Sequence, residues 1–341
     1  MNSSRHQYVD RDTGMVVEER PYADRWIQAL YSPLLENAAW LSRVASSRCT
    51  SRLLGYLNYD NLLSSRITGM DRFLRAHGIN ADEFVGLPGQ IDTPRKIFER
   101  KIKYWECRPL PLGRRCVLCP ADARVMVGPM NGQSGLFIKN KFFDFAELLG
   151  NDRGDWHTVF RDGEFAVFRL TPEKYHYTHL PVTGRVADFY SIAGRYHSCN
   201  PNATVQLLNS YSKNRRVVTV LDTNCEGGTG VGRVAMIEVV ALMVGHIEQL
   251  YSEHAYDNPQ PLKQGMMVQI GAPKALFRPG SSTVVLLFQP GYIRFADDLV
   301  RNQPRASVCS RHSAVLGLPL CETDVKVRSL LAYATEGVSH G

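Results

Sequence analysis

The sequence predicts an α+β protein: a helical N-terminal region over residues 1–105, a β-rich body of mostly antiparallel sheets over 106–300, and a C-terminal extension over 301–341. Three observations carry this. Apolar residues recur at helical spacing before residue 100, and short β-branched runs separated by Gly, Pro, Asn and Asp replace them beyond Cys107. The third is composition: 44% of the 341 residues are hydrophobic and 21% charged. That suits about two domains of roughly 150 residues, or one large body with an appendage, and excludes disordered and collagen-like chains.

Taken in order, the first 20 residues are polar and read as loose. YADRWIQALYSPLLENAAWLSRV (22–44) sets Trp26, Leu30, Leu34 and Leu41 near helical spacing, with Pro33 as a break. A second helix is expected over 65–78, where Ile67, Met70, Phe73 and Leu74 recur at three and four residues and Gly78 supplies a stop. In the body, RCVL (115–118), FAVFRL (165–170), RVVTVL (216–221) and TVVLLF (283–288) read as strands. NCEGGTGVG (224–232) is dense in glycine, but without a GK[ST] ending it reads as a hairpin turn rather than a phosphate loop.

The charge balance is mild: 40 Lys+Arg against 33 Asp+Glu, a net +7. Such an excess fits an ordinary solvated surface or an anionic partner, either nucleic acid or acidic lipid. The longest apolar run, Val234 to Ile247, is interrupted by Glu238 and is too short to span a bilayer. Neither a signal peptide nor a membrane anchor is visible at the polar start, so a cytoplasmic protein, soluble or peripheral at a membrane, is expected. Eight scattered cysteines fit reduced thiols. Cys116 and Cys119 form a CxxC without a second pair, so no metal is expected.

Four segments concentrate reactive side chains beside turn residues. They are the turn ending in Asp122, the stretch from Tyr175 to Pro181 with His176 and His179, the strands around Gly245, and FRPGSSTVVLLF (277–288). Two histidines three residues apart share a helix face or lie obliquely on an extended segment, which Pro181 favours; one structural hydrogen bond each is the plainer alternative. A serine at a glycine-containing turn, a histidine and an aspartate together supply nucleophile, base and orienting carboxylate, here in the chain order Asp, His, Ser. The GxSxG elbow of many serine hydrolases is absent. A serine at the mouth of an apolar strand suits attack on its own chain better than on an incoming substrate.

These segments resemble the phosphatidylserine decarboxylase family, pyruvoyl-dependent enzymes that make their cofactor from an internal serine. The resemblance runs from about residue 50 to about residue 300. It includes SRLLGYLNYDNLLSSRITGMDRFLRAHGINADEF, IFERKI followed by Arg108-Pro109, PADA for PADG, LFIKNKFFDFAELLG, RLTPEKYHYTHLPVTGRV and FRPGSSTVVLLF. It implies that Asp122 and His179 activate the serine, that Asp122 fixes the His179 tautomer, and that His176 acts beside the reacting substrate. It also implies that a serine of the turn at Gly280, Ser281 and Ser282 becomes the pyruvoyl group. The FxxGGST form of the motif selects Ser282 without a gap; the FxxGST form selects Ser281 and then needs an extra residue. The chain departs from the family at Ala123 in PADA, at Asn140 where a glycine is usual, and at His246 within a VGxI segment.

The implied activity is a carboxy-lyase that cuts itself as a zymogen and releases carbon dioxide from phosphatidylserine, the ketone of the new chain start taking up the electrons. The implied partners are phosphatidylserine and, peripherally, an anionic membrane rather than nucleic acid, with a homodimer left open. A free amino acid as substrate is the alternative within the same chemistry. A non-catalytic family member acting as a binding protein is the alternative outside it.

Overall fold

A computed structural model describes residues 6–19, 74, 78–86, 93–113, 115–130, 145–194, 214–240, 246–279, 282–310, 312–313 and 319–335. Sixteen strands are described among them. The first eight are β1 (Gln7–Asp10), β2 (Val16–Glu18), β3 (Cys116–Leu118), β4 (Ala123–Pro129), β5 (Glu164–Leu170), β6 (Tyr177–His179), β7 (Gly184–Ile192) and β8 (Arg216–Asp222). The rest are β9 (Arg233–Val240), β10 (Ile247–Gln249), β11 (Met267–Val268), β12 (Pro273–Phe277), β13 (Ser282–Phe288), β14 (Ile293–Phe295), β15 (Thr323–Val325) and β16 (Leu330–Ala334). Ten form one sheet in the order β11-β7-β8-β9-β13-β5-β4-β15-β1-β2, and two three-stranded sheets have the orders β10-β12-β6 and β14-β16-β3. All the pairings are antiparallel except β1 with β15. The expectation of a β-rich body of mostly antiparallel sheets is met.

The strands read from the sequence form because both of their faces are covered. On β13, Val284, Leu286 and Phe288 enter one core together with Ala275 and Phe277 of β12 and Leu331 of β16. Val285 and Leu287 enter a second core with Leu148, Leu149 and Phe160. Those three belong to two short helices, α3 (Phe145–Leu149) and α4 (Gly154–Phe160), which follow α1 (Pro94–Phe98) and α2 (Tyr104–Cys107). A strand buried on both sides reads as a continuous apolar run rather than an alternation, as TVVLLF does. The 224–232 segment is the turn between β8 and β9, with Gly227, Gly230 and Gly232 at φ of +74°, +72° and +72°, a region that side chains with a β-carbon rarely adopt.

The helical N-terminal region expected over 1–105 is not supported. Residues 7–18, read as loose, are instead the β1–β2 hairpin, and the other described elements before residue 105 are a single 3-10 turn at Ala81–Glu83, α1 and the start of α2. The helix expected over 22–44 and most of that over 65–78 lie outside the described residues. The hairpin is held by a small apolar cluster of Val9 and Val16 with Val308 and Cys321, and by charge. Arg169 on β5 donates to both carboxylate oxygens of Glu19, at 3.0 and 2.8 Å, and to Oε1 of Glu322 at 2.8 Å. His6 Nε2 lies 2.8 Å from Glu322 Oε2, and Arg124 also pairs with Glu19 and lies over the Tyr8 ring. Within 301–341, β15 is bonded between β1 and β4, and β16 between β3 and β14.

This network sets a pH dependence. Burial alone would raise Glu19, but Arg169 and Arg124 bring it down from 4.5 to about 2. A depressed carboxyl contributes stability that is fully present above its unfolded value and is lost as pH falls toward its folded one. His6, lowered from 6.5 chiefly by burial, acts in the same direction from about neutrality downward. The expected result is that the amides of 7–10 and 16–18 lose hydrogen-exchange protection between about pH 6 and pH 2, ahead of β5, β9 and β13. Protection that declines evenly across the ten-stranded sheet would contradict it.

Candidate active site

The PADA turn leads into β4, and its Asp122 is buried. The Asp122 carboxylate accepts from Arg108 Nε at 3.2 Å, from Arg108 Nη2 at 2.9 Å and from the Val327 amide at 2.7 Å. Burial would raise this carboxyl; Arg108 and the Val327 amide outweigh it and hold Asp122 below its ordinary value. Arg108 is shared with Glu83, at 3.1 Å to each carboxylate oxygen.

His179 ends β6, the edge strand of a small sheet whose centre is β12. Its amide donates to the Pro120 carbonyl at 2.8 Å, which fixes β6 beside the PADA turn and so brings His179 and Asp122 into one neighbourhood. The side chains, however, have other partners. His179 Nδ1 lies 2.8 Å from the Gly271 carbonyl and Nε2 lies 2.9 Å from the Tyr175 hydroxyl. A carbonyl can only accept, so Nδ1 carries the proton and Nε2 accepts from Tyr175. The expectation that Asp122 fixes the His179 tautomer is therefore corrected. Gly271 does so, because both oxygens of Asp122 are taken by Arg108. Burial lowers His179 to about 3, so it rests neutral.

Beyond Tyr175 the chain of contacts continues to Tyr256, hydroxyl to hydroxyl at 2.7 Å, and from Tyr256 to the Ile102 carbonyl at 2.8 Å. From Gly271 to Ile102 there are four contacts, whereas a neutral imidazole and two phenols supply three protons. One more proton on His179 would let each group donate to the next, so the two tyrosines would stabilise a protonated His179 by hydrogen bonding.

His176 precedes β6 and is fully buried, stacked on Phe98 with ring centres 3.4 Å apart. Its Nδ1 donates to the Lys174 carbonyl at 2.8 Å, and Nε2 has no hydrogen-bond partner among the described residues. Burial, then the charge of Arg100, holds it well below the usual imidazole value. The His176 carbonyl accepts from the Phe277 amide at 3.1 Å, which ties this segment to the strand that leads into the serine turn.

Ser282 opens β13, paired with Leu170 on one side and Val240 on the other. Successive strand residues face opposite ways, so Ser282 shares the face of Val284 and Leu286, toward the sheet that carries His179. Its Oγ is buried and without a hydrogen-bond partner among the described residues, as are the hydroxyls of Thr219 and Thr283. Gly280 and Ser281 lie outside the described residues.

Sequence reasoning missed the partners. Glu238 on β9 and Lys274 on β12 are both fully buried and meet at 2.6 Å, with Gln249 on Lys274 at 2.9 Å and Thr178 on Glu238 at 2.6 Å. This group stitches β6 and β12 to the large sheet on the face that Ser282 shares. A lone charge within each of two apolar strands was the available signal. Tyr256 carried none. The Cys119 thiol of the CxxC is fully enclosed, and burial pushes it up to about 11, so it remains a protonated thiol.

The model of the phosphatidylserine decarboxylase family matches residues 95–311, a span that contains Asp122, His176, His179 and Ser282. The chain belongs to the phosphatidylserine decarboxylase family. Among its relatives, a phosphatidylserine decarboxylase proenzyme of Chlamydia felis is 30% identical over 299 residues, 87% of this chain and 92% of the relative. Proenzymes of the same name from Chlamydia trachomatis serovar L2 and Bordetella petrii are 30% and 29% identical over 305 and 266 residues, covering 86% and 74% of this chain and 90% and 88% of theirs. Family membership extends to residues the motifs do not reach, since the matches take in nearly all of each relative.

Proposed function

We propose that the chain is a phosphatidylserine decarboxylase, a carboxy-lyase that cuts itself before Ser282 and carries a pyruvoyl group at the new chain start. The observation that carries this reading is the buried Ser282 Oγ, unpartnered among the described residues, at the head of a strand covered on both faces. The Thr219 and Thr283 hydroxyls are also unpartnered among the described residues; what sets Ser282 apart is its place at the first residue of β13, beside the turn, where its oxygen is free to meet the carbonyl before it. Such a site also fits the group, since a small ketone in place of the serine needs no further room.

In the first stage the Ser282 oxygen attacks the carbonyl before it, and the peptide becomes an ester with a free amine at residue 282. Loss of the Ser282 α-proton then expels the carboxylate of the preceding residue, and hydrolysis of the remaining enamine releases ammonia and leaves the ketone. His179 is proposed to take up the serine proton, with Asp122 contributing charge through Arg108 rather than by direct contact. Because both His179 nitrogens are engaged, Tyr175 must release Nε2 for this step. Once formed, the pyruvoyl group supplies the electron sink for loss of carbon dioxide. His176 is proposed to hold the proton for the reacting carbon.

Among the described residues no helix is long and apolar enough to cross a membrane, and contact with an anionic bilayer is proposed to be peripheral. Intact mass of the purified protein should give two chains, the smaller running from residue 282 to 341 with a carbonyl-reactive start. Carbon dioxide release should be faster from phosphatidylserine in mixed micelles than from free serine. A small chain one residue longer assigns Ser281; a single chain that stays intact on incubation defeats the reading.

A further inference from the structure

Arg328 has three features that neither the fold nor the proposed chemistry uses. Its backbone sits at φ +68°, in the left-handed region that residues with a β-carbon avoid. The residue is buried, only 8% of its surface being exposed, yet no carboxylate pairs with it among the described residues. Nη1 donates to the Tyr104 carbonyl at 3.1 Å, while Nε has no hydrogen-bond partner among them. Buried guanidinium groups are ordinarily paired, because a lone charge removed from water is costly.

The surroundings indicate what would pair with it. The guanidinium lies 4.8 Å from the centre of the Tyr104 ring, and that ring stands edge-on to His179 at 4.8 Å. Gly271, whose carbonyl fixes the His179 tautomer, lies beneath Arg328 Nε and Leu110 together. A β-carbon on Gly271 would come within 3.1 Å of the one and 2.8 Å of the other. Leu110, which shares Gly271 with Arg328, and Trp105, edge-on to the Tyr104 ring, are each 44% exposed, so apolar side chains open to solvent flank this cation.

We propose that Arg328 is the receptor for a phosphate group, and that its ligand is the phosphodiester of a phospholipid whose glycerol end lies along Leu110 and Trp105. The site rests on the phosphatidylserine reading for its ligand class, but not for its existence. The planar fork of Arg matches two phosphate oxygens, and Nε with one Nη is the pair of donors such a contact uses. The phosphate would supply the charge that the protein withholds, and would place a headgroup amine and carboxylate on the His179 side of Tyr104.

The test measures binding without turnover. Full-length protein and its Arg328→Gln and Arg328→Gly variants are titrated by calorimetry with monomeric dihexanoyl phosphatidylglycerol and, separately, with inorganic phosphate. The lipid should bind to the unsubstituted protein and weaken at least tenfold in both variants, while cleavage into two chains persists. In turnover of dihexanoyl phosphatidylserine the variants should raise KM at least tenfold with kcat within about threefold. Inorganic phosphate binding as tightly as the lipid, and equally dependent on Arg328, would make free phosphate the ligand and overturn the lipid assignment. Unchanged lipid affinity in both variants overturns the site altogether. A protein that binds phosphatidylglycerol through Arg328 but releases no carbon dioxide from phosphatidylserine would leave the site standing and defeat the enzymatic reading.

Discussion

Ser282→Ala should leave the protein as one chain of 341 residues, with no carbonyl-reactive chain start and no release of carbon dioxide. The substitution deletes the attacking oxygen, and the nearest replacement cannot serve. Thr283 carries a hydroxyl, but strand alternation turns it to the opposite face, toward the core of Leu148 and Phe160. Stability should not fall. A buried hydroxyl without a partner costs about 1–3 kcal/mol, and alanine removes it, so the melting temperature should be unchanged or raised. Loss of cleavage without loss of stability is the signature of a functional serine. Denaturing electrophoresis and a thermal melt suffice to read it, and Ser281→Ala, run beside it, should still cleave. Cleavage surviving in Ser282→Ala would transfer the role to Ser281.

His176→Ala should give the complementary result: two chains form, but turnover falls by roughly 10²–10⁴-fold, the usual worth of a positioned acid or base. The prediction follows from the ring's two ends. Nδ1 is committed to the Lys174 carbonyl, so Nε2 carries the lone pair, and it has no partner among the described residues. In its resting neutral form this nitrogen accepts a proton. It becomes an acid once an anionic substrate group enters and offsets the burial that keeps its pKa low. His176→Asn, which keeps a polar group beside Phe98, should fall equally far if proton transfer is the role. Persistence of one uncut chain in either variant would assign His176 to cleavage instead.

What the sequence made legible followed from range. The four apolar strand runs were readable because each is buried on two faces and advertises it locally. Asp122, His176 and His179 were readable as reactive groups near Pro120 and Pro181. The β1–β2 hairpin was not. Strands of four and three residues are too short to show a periodicity, and their partners are remote: Val9 packs with Val308 and Cys321, and Arg169 lies 150 positions from Glu19. For the same reason the pairing of Asp122 with Arg108 rather than His179, and the path from Tyr175 to Tyr256 81 positions away, could be found only once the fold had placed them. Residue types announce a site; which partner each takes is a property of the packing.

The position of β13 bears on the life of the protein after it is cut. This strand lies between β9 and β5, β15 between β4 and β1, and β16 beside β3, so the smaller chain proposed to begin at Ser282 would be woven into the longer one at three places. While the peptide is whole, these strands find their places at the cost of closing a loop, which grows only slowly with length. After scission the same search is made by two separate molecules, neither of which has the neighbours to complete its own sheets. The mature protein would then be a relic of a fold reached only as a single chain: durable for as long as it stays folded, and not recoverable by dilution from denaturant. Its lifetime would be set by the rate of unfolding rather than by an equilibrium.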